Sequence, residues 1–529
     1  MELARKLIPS NCRSQSVQAP IPYERDAQGL LTWAPNDPEN PKNWKRSTKW
    51  FYTFVSIMVV SNASMASSTT SGCLESISEQ LHVSVEAAKL TVTLFLLGYV
   101  AGPCIWAPLS EFFGRQVIYL STFVTYVGFT FLCAFTPNFA GLLLGRFFTG
   151  VFISGALSNT PGLFADLWEP VERAKCMTLF SVALQMGPAI GPITSGFYQL
   201  TLDWRWAFYQ LLWTGGACLP LLLLIPETHP AILLERKAKR IRLAASSNTD
   251  LVRAPSEVQP ISLLQTFKTA LSRPWLLLLD PICFFVAIYM TVVYTLLYML
   301  FTIFPIVFIQ KRGWNSGVGE LPLLSIIVGG LLGAALSFWD SARLRQKIEK
   351  GHIYRAEDTL PVSIIAALIF PIAMFSLAWT GQYNSIHWIV PTLAGVAISF
   401  VIVLQFVSFL GYLSEVYLRY AASAQATNQI VRSAIAASAP LWTEQMFGAM
   451  GVGGGGSLIA GVAVLLMPIP ILFYRYGEGI RRKSKWAPTN PVGDGVGNGQ
   501  ESSEGEEEKE EVEVERGDAE NGRSHPGLV

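Results

Sequence analysis

The chain has 529 residues, of which 51% are hydrophobic and only 15% are charged, and its formal net charge at pH 7 is +1. Soluble domains carry about 25% charged residues, so this composition is typical of a protein that crosses a membrane several times, and the near-zero net charge gives no sign of a nucleic-acid partner. Seven cysteines and five histidines show no paired or metal-ligand spacing, which argues against a disulfide framework, a metal site or another cofactor.

Long apolar runs divide the chain into regularly spaced segments. Twelve runs are long enough to cross a bilayer, which takes about 20 residues, and a polar stretch separates the first six from the last six. We predict an all-α membrane protein with twelve transmembrane helices in two pseudo-symmetric six-helix bundles. The runs cover approximately 49–71, 88–110, 117–135, 139–164, 177–198, 205–226, 276–308, 318–339, 360–381, 386–411, 419–444 and 454–475.

These runs predict five regions: an N-terminal segment over 1–48, a first bundle over 49–226, a linker over 227–275, a second bundle over 276–475 and a tail over 476–529. Lysine and arginine crowd into the N-terminal segment, the linker, the start of the tail and alternate loops, whereas the other loops hold almost none. The positive-inside rule then places both termini in the cytoplasm. The tail is rich in glycine and glutamate, and we expect it to be disordered.

Two features inside the runs of the first half are unusual. Arg146 lies near the start of the fourth run, where an arginine costs roughly 2.5–3.5 kcal/mol by insertion scales. It should therefore face protein or water, unless it snorkels to the membrane surface. The fifth run contains GPAIGP, in which two prolines bend a helix whose Gly187, Gly191 and Ser195 form one smooth stripe. We expect this stripe to pack against a partner helix in the other half.

Polar groups also occur within several runs. Asp280 begins the seventh run, and Tyr294 and Tyr298 lie four residues apart on one face of that helix, which would suit a flat, partly polar organic molecule. Contact with lipid or with the membrane interface is the alternative for these tyrosines. The other polar residues at mid-helix either line a cavity or bond neighbouring helices. They are Asn62, Asn159, Gln185, Gln405, Gln425, Asn428 and Arg432.

Seven stretches, taken in order, resemble one known family. They are GPCIWAPLSEFFGRQ, LGRFFTG, ADLWEPVERAK, GPAIGPITSG, DWRWAFY, PETHPAILLERKAKR and YAASAQATNQIVRS. Together they resemble the major facilitator superfamily and, within it, the fungal twelve-helix drug:H+ antiporters. The resemblance covers nearly the whole chain, from Asn40 to Pro488. It implies a fold of two six-helix bundles around a central cavity.

The resemblance also implies roles for charged residues. Glu111, in the turn after the second run, would face Arg115 as part of a gate. Arg146 would take part in proton coupling. Asp166 and Arg173 would join the charge network at the same end of the bundle. The alternative for the residues at the run ends is that they only fix the topology or cap helices.

GPAIGPITSG resembles the signature that such antiporters carry in the fifth helix, with Ser195 in place of a usual glycine. Its members here are Gly187, Pro188, Gly191, Pro192 and Gly196. Runs one, four, seven and ten line the cavity in this superfamily. The resemblance therefore makes Asn62, Asn159 and Gln405 candidate substrate contacts, beside the two tyrosines of the seventh run.

The resemblance and the residues together predict a function. The GVGGGG run lacks the Lys-Ser/Thr of a phosphate loop, so an ion gradient would drive transport, with Glu111, Asp166 and Asp280 as candidate proton carriers. We expect a monomeric proton-coupled exporter of xenobiotics, toxins or fungal secondary metabolites in the plasma membrane, in contact with lipid, without a cofactor or enzymatic activity. The alternatives are a polyamine, nutrient or organic-acid transporter of the same fold, or a membrane sensor that transports nothing.

Overall fold

The structure, a computed structural model, describes residues 24–26, 29–244, 252–258, 263–352 and 355–487. The first half contains α1 (Arg46–Ser68), α2 (Val85–Phe113), α3 (Arg115–Phe135), α4 (Phe139–Leu167), α5 (Pro170–Thr201) and α6 (Arg205–Leu223). The second half contains α7 (Pro281–Phe304), α8 (Leu324–Glu349), α9 (Pro361–Gln382), α10 (Ile389–Tyr417), α11 (Ala421–Ala436), α12 (Ala439–Leu466) and α13 (Pro468–Arg481).

Shorter elements connect these helices. The linker contributes the helices Pro230–Ala244, Pro255–Val258 and Leu263–Leu278, and an antiparallel hairpin of β1 (Glu24–Arg25) and β2 (Leu31–Thr32) precedes α1. Short helical segments lie at Pro41–Asn43, Ser71–Cys73, Leu74–Leu81, Pro305–Gln310, Ser316–Glu320, Leu321–Leu323, Ala356–Thr359 and Leu418–Tyr420. Most of the tail, for which we expect disorder, lies outside the described residues.

Within the described residues, ten segments are both long enough and apolar enough to cross a membrane. The first predicted span is helical as α1, but its last third reads SNASMASS and makes the helix too polar to meet the same criterion. The eleventh predicted span is interrupted, because α11 has only 16 residues. The prediction of a helical protein with many membrane spans is confirmed, and the count of twelve stays a prediction.

The last candidate span, Ala439–Arg481, contains a sharp break at Gly451. It has 43 residues, which as one straight helix would be about 65 Å long, roughly twice the bilayer core. Gly451 has φ 70° and ψ 170°, a backbone conformation that essentially only glycine adopts. The break falls between the eleventh and twelfth predicted runs, so two crossings fit into the path from α11 through α13.

The helix contacts repeat between the two halves. In the first half α1 packs on α5, α2 packs on α4, and α3 packs on both α4 and α6. In the second half α7 packs on α11, α8 packs on α10, and α9 packs on both α10 and α12. The halves meet where α5 contacts α8 and where α2 contacts α11, which is again a symmetric pair. This repeat supports the predicted pseudo-symmetric bundles and locates their boundary along these four helices.

The segment before α1 and the central linker pack together as one small unit. Leu31 donates its N–H to the carbonyl of Arg253 at 2.9 Å, and Lys237 donates to Asp37 in an ion pair whose two side chains are almost fully buried. We call this the linker unit, and the end of the bundle that carries it the linker end. The predicted separation of 1–48 from 227–275 misses this packing, and the other domain limits stay predictions. The apolar core of the unit consists of Leu31, Leu234, Ala238, Ile241, Val252 and Ala254.

We expect Asp37→Asn to loosen the linker unit, because it leaves the buried Lys237 charged and uncompensated, at a cost of about 3–5 kcal/mol. Glu39→Gln is the matched control, since Glu39 pairs with Arg240 near the surface at 2.7 Å, where a pair contributes at most about 1 kcal/mol. Hydrogen–deuterium exchange of Pro230–Ala244 measures the difference. Faster exchange in Asp37→Asn alone is expected, and equal exchange in the two variants would contradict the role of the buried pair.

Candidate substrate and coupling site

The glycine stripe of GPAIGP packs against α1. A Cβ added to Gly187 would lie 2.5 Å from the Cβ of Ser64, and one added to Gly191 would lie 2.7 Å from the Oγ of Ser68. The expectation of close helix packing is therefore right, but the expected partner is wrong, because α1 belongs to the same half. Of this motif it is Gly196 that faces the other half.

The two prolines of this motif lie inside α5, which remains one helix from 170 to 201. Pro192 has no N–H to donate to the carbonyl of Pro188 four residues earlier. The Oγ of Ser68 supplies that missing donor at 2.7 Å. In lipid an unpaired carbonyl would be costly, so the neighbouring helix makes the second proline tolerable. The seam between α1 and α5 is thus held by both shape and a hydrogen bond.

Arg146 lies inside the first half and not at the membrane surface. Its side chain is 1% exposed. Nε donates to the carbonyl of Thr91 at 2.9 Å and Nη2 to that of Ser67 at 3.5 Å, and Cζ lies 4.3 Å from the centroid of the Phe95 ring. No carboxylate oxygen in the described residues lies within 4.0 Å of its nitrogens. The side chain therefore faces protein, and its part in proton coupling stays a prediction.

A second buried arginine, Arg432 on α11, stacks on aromatic rings of α7 and α10. Its Cζ lies 5.1 Å from the ring centroid of Tyr294 and 4.7 Å from that of Phe406. The hydroxyls of Tyr294 and Tyr298 lie 3.3 Å apart, and Tyr298 donates to the Oγ of Ser67 on α1 at 3.1 Å. Both tyrosines are at most 2% exposed, which excludes lipid contact in this conformation. They form one aromatic face at the junction of the halves.

Several buried polar atoms, some of them beside this face, have no hydrogen-bond partner. Both amide atoms of Asn428, one turn before Arg432, are unpaired, as are the hydroxyls of Thr291 and Thr295 on the tyrosine face of α7. Asn159 on α4, a predicted cavity residue, also has two unpaired amide atoms. An unpaired buried polar group costs roughly 1–3 kcal/mol. Such groups need a partner from outside the protein, such as water or a polar ligand.

The remaining predicted cavity residues are bonded within the protein. Asn62 accepts a hydrogen bond from the hydroxyl of Tyr126 on α3 at 2.8 Å and donates to α6. Gln405 donates to the hydroxyl of Tyr289 at 2.9 Å and accepts from the Oγ of Ser363 at 2.5 Å. These bonds join helices within each half. The geometry favours the alternative of interhelical bonding, and substrate contact by these two residues stays a prediction.

Arg115 lies at the centre of a charge cluster at the linker end. Its Nε lies 3.5 Å from Oδ2 of Asp166, and its Nη1 donates to the Oγ of Ser110 at 2.7 Å. Thr228 of the linker also donates to Asp166, at 3.4 Å. Glu111 is exposed and forms no ion pair with any described residue. In this conformation Arg115 therefore pairs with Asp166 and not with Glu111, which was its expected partner.

Two glycines and a carboxylate position Arg115. Gly114 has φ +100°, which allows the sharp turn into α3, and a Cβ added to Gly162 of α4 would lie 2.7 Å from Cζ of Arg115. Glu227 accepts the backbone N–H of Arg115 at 3.0 Å and so caps α3. Glu227 was not among the predicted site residues, although it lies in the family stretch PETHP. Arg173 forms no ion pair with the described part of this cluster.

Asp280 is bonded on both carboxylate oxygens. Oδ1 accepts the N–H of Ile282 at 3.1 Å, as a helix N-cap, and the hydroxyl of Tyr417 at 2.7 Å. Oδ2 accepts a hydrogen bond from Ser484. Asp280 therefore joins the start of α7 to the end of α10 and to the segment after α13. This geometry explains a structural role, and the carriage of a proton by Asp280 stays a prediction.

The polar side-chain contacts between the halves lie at mid-depth or at the end opposite the linker end. In the described ranges they join Ser67 to Tyr298, Gln199 to Ser316 and Lys89 to Glu444. At the same opposite end a Cβ added to Gly196 would lie 2.8 Å from the carbonyl of Ser316. The structure thus shows the halves closed against each other at the end away from the linker.

We expect the linker end to lose stability in acid through His229. Burial, followed by the positive charge of Arg115, lowers the pKa of His229 to about 4, from an ordinary value of about 6.5. Because the unfolded chain binds this proton at a higher pH than the folded one, stability falls as the pH drops from about 6.5 towards about 4, and it is unaffected above that window.

The variant His229→Gln should show a smaller loss of stability in acid than the wild type. The measurement is the thermal unfolding midpoint of the detergent-purified protein from neutral to acid pH. His387, which is exposed, provides the control variant His387→Gln. Identical pH slopes for all three proteins would count against the effect.

Comparison with known proteins agrees with this architecture. A sequence model described as Major Facilitator Superfamily matches residues 51–440. The major facilitator superfamily multidrug transporter mdrA of Aspergillus fumigatus is 37% identical over 472 residues, which cover 88% of this chain and 76% of that protein. The efflux pump FUB11 of Gibberella moniliformis is 37% identical over 460 residues, which cover 86% and 77% respectively.

The fold also matches a solved structure of the same superfamily. The proton:xylose symporter XylE, bound to 6-bromo-6-deoxy-D-glucose, aligns with a TM-score of 0.58 at 18% sequence identity, and the alignment covers 82% of this chain and 96% of that one. At this identity the likeness concerns the fold alone. The family expected from the sequence motifs is confirmed: the chain belongs to the Major Facilitator Superfamily.

Proposed function

We propose that this protein is a proton-coupled exporter of small organic molecules. The observation that carries the proposal is the buried aromatic face of Tyr294, Tyr298 and Phe406 with Arg432, which lies where the halves meet and is bordered by unpaired polar atoms. Transporters built from two repeats bind their substrates at this position. Relatives over most of the chain are named a multidrug transporter and an efflux pump, which supports export as the direction.

We propose that the linker end faces the cytoplasm and that the protein acts as a monomer in the plasma membrane. The concentration of lysine and arginine in the linker and in the segment before α1 supports this orientation. The moving bodies would be the predicted bundles 49–226 and 276–475. The polar contacts between the halves then hold the outer end closed, and the substrate would reach its site from the cytoplasm.

The proton gradient supplies enough free energy for this task. One pH unit corresponds to about 1.4 kcal/mol per proton, and 100 mV adds about 2.3 kcal/mol per charge. One entering proton could therefore export a neutral molecule against a gradient of a few hundredfold. A polyamine as substrate is disfavoured, because its ammonium groups would meet Arg432 at the aromatic face, where no described carboxylate lies within 4.0 Å of the guanidinium.

The first test compares efflux with and without a protonophore. Cells that overproduce or lack the protein would be loaded with a panel of organic acids, neutral molecules and cations. We expect the overproducing cells to retain less of at least one class of compound than the cells that lack the protein. The protonophore should remove this difference. Efflux that is equal in both conditions would reject proton coupling.

Arg146→Ala should lower this efflux at least tenfold without lowering the amount of protein at the cell surface, because the carbonyls of Thr91 and Ser67 and the Phe95 ring lose the cation that joins them. The matched control is Arg205→Ala. Arg205 pairs with Asp203 at the start of α6 and is partly exposed, so its loss should change efflux less than twofold. Normal efflux by Arg146→Ala would refute the coupling role.

A second pair of variants separates the two acids near Arg115. Asp166→Asn should lower efflux about tenfold, because it weakens the contact that holds the turn between α2 and α3 to α4. Glu111→Gln should stay within twofold of wild type, because Glu111 is exposed and unpaired with Arg115 in this conformation. Initial rates per surface-expressed protein provide the measurement. A loss in Glu111→Gln as large as that in Asp166→Asn would favour the gate expected from the family resemblance.

A further inference from the structure

Arg432 and Arg146 are both buried in the spans, but their guanidinium N–H groups differ in whether they have hydrogen-bond acceptors. Arg146 donates to two backbone carbonyls. In Arg432, which is 4% exposed, Nη2 donates to Gln429, whereas Nε and Nη1 have no hydrogen-bond partner. A guanidinium is always charged and offers only donors. Two of the three nitrogens of Arg432 therefore lie buried without an acceptor.

The surroundings of Arg432 stabilise a positive charge without neutralising it. The rings of Tyr294 and Phe406 lie 5.1 and 4.7 Å from Cζ, and such rings attract a cation through their faces. They do not supply the oxygen acceptors that the N–H groups need. In the described residues no carboxylate oxygen lies within 4.0 Å of the guanidinium. A buried charge without a counter-ion is costly, so this site favours an anion that comes from outside the chain.

The other unpaired groups at this site are neutral. Asn428 lies one turn before Arg432 on α11, and Thr295 lies on α7, which packs against α11. The hydroxyl of Tyr298 reaches Ser67 in the first half, so the site borders the junction that must open and close during transport. The proposed substrate site at the junction thus combines one positive charge, two aromatic rings and neutral hydrogen-bonding groups.

We infer that Arg432 recognises a negative charge on the transported molecule and that the substrate is a small, flat organic acid. A carboxylate accepts charge-assisted hydrogen bonds from the guanidinium, and the ring of the substrate packs beside Tyr294 and Phe406. An organic cation is repelled by the same arginine, which gives the site its selectivity. The inference rests on the proposed export function and names its substrate class.

The charge of the substrate has a consequence for coupling. A proton that enters while a monovalent anion leaves moves two charges in the same electrical sense, whereas exchange for a neutral molecule moves one. Export of an organic acid is therefore driven twice as strongly by an inside-negative membrane potential. A site that selects anions therefore increases the share of the driving force that comes from the membrane potential.

Benzoate, benzamide and benzylamine test the inference, because they share a ring and differ mainly in charge at neutral pH. We expect benzoate to raise the thermal unfolding midpoint of the detergent-purified full-length protein, and the other two compounds to leave it unchanged. Arg432→Gln should weaken benzoate binding at least tenfold, and Arg432→Lys, which keeps the charge, should weaken it less. The matched control Arg205→Gln removes a positive charge at the start of α6 and should bind benzoate like the wild type.

Three results would overturn the inference: equal stabilisation by the three compounds, stabilisation by none of them, or undiminished benzoate binding in Arg432→Gln. If Arg432→Gln does not fold, two measurements still decide the outcome. They are the preference of the wild-type protein among the three compounds and the benzoate binding of Arg432→Lys. Proteoliposomes with an imposed proton gradient separate the inference from the proposed function. Benzoate that binds but is not transported would refute export alone, and proton-driven transport of a neutral compound without benzoate binding would refute the inference alone.

Discussion

The interior of a bilayer offers no water to polar groups, so each polar atom buried in the spans needs a partner in the protein or in a ligand. This constraint separates the mid-helix polar residues into those whose polar atoms have partners and those whose polar atoms have none, a difference that the sequence does not show. Asn62 and Gln405 have partners on neighbouring helices, and the carbonyl of Pro188 receives a hydrogen bond from Ser68. Asn428 and Arg432 keep unpaired atoms. The first group holds helices together, and the second group lies where we propose that the substrate binds.

The seam between α1 and α5 changes how the proline–glycine motif contributes to transport. Because Gly187 and Gly191 bring α5 against α1 of the same half, and Ser68 bonds across that seam, the motif fixes the shape of the first half. In the proposed cycle the halves would then move relative to each other at the contacts of α5 with α8 and of α2 with α11. In the proposed cycle α5 would therefore move with the first half. It touches the other half near Val182 and Met186, and again near Gly196 at the end away from the linker.

The sequence predicts what depends on composition and spacing, and it fails where the outcome depends on which element lies next to another. Apolar runs locate the helices, and the four-residue spacing correctly placed Gly187 and Gly191 on one packed face. The same spacing cannot say which helix meets that face. Arg115 is a similar case, because its partner Asp166 lies 51 positions away and is reached only through the space that Gly162 leaves on α4. Arg432 was visible as a mid-helix charge, but its unpaired nitrogens depend on the whole neighbourhood.

The distribution of buried charge bears on where a proton could be carried. In the described residues, the buried cations near the junction of the halves include Arg146, Arg432 and Lys89, and a guanidinium does not release its proton at any physiological pH. In the described spans and their caps, Asp166, Glu227, Asp280 and Glu320 are buried carboxylates at helix ends. Of these, Glu320 lies against Gly196 of the other half, at the end away from the linker. In the proposed proton-coupled cycle, proton uptake by these carboxylates would be separated in space from substrate binding at the aromatic face. The two events are then linked through the rocking of one half against the other, since each end opens only when the opposite end closes.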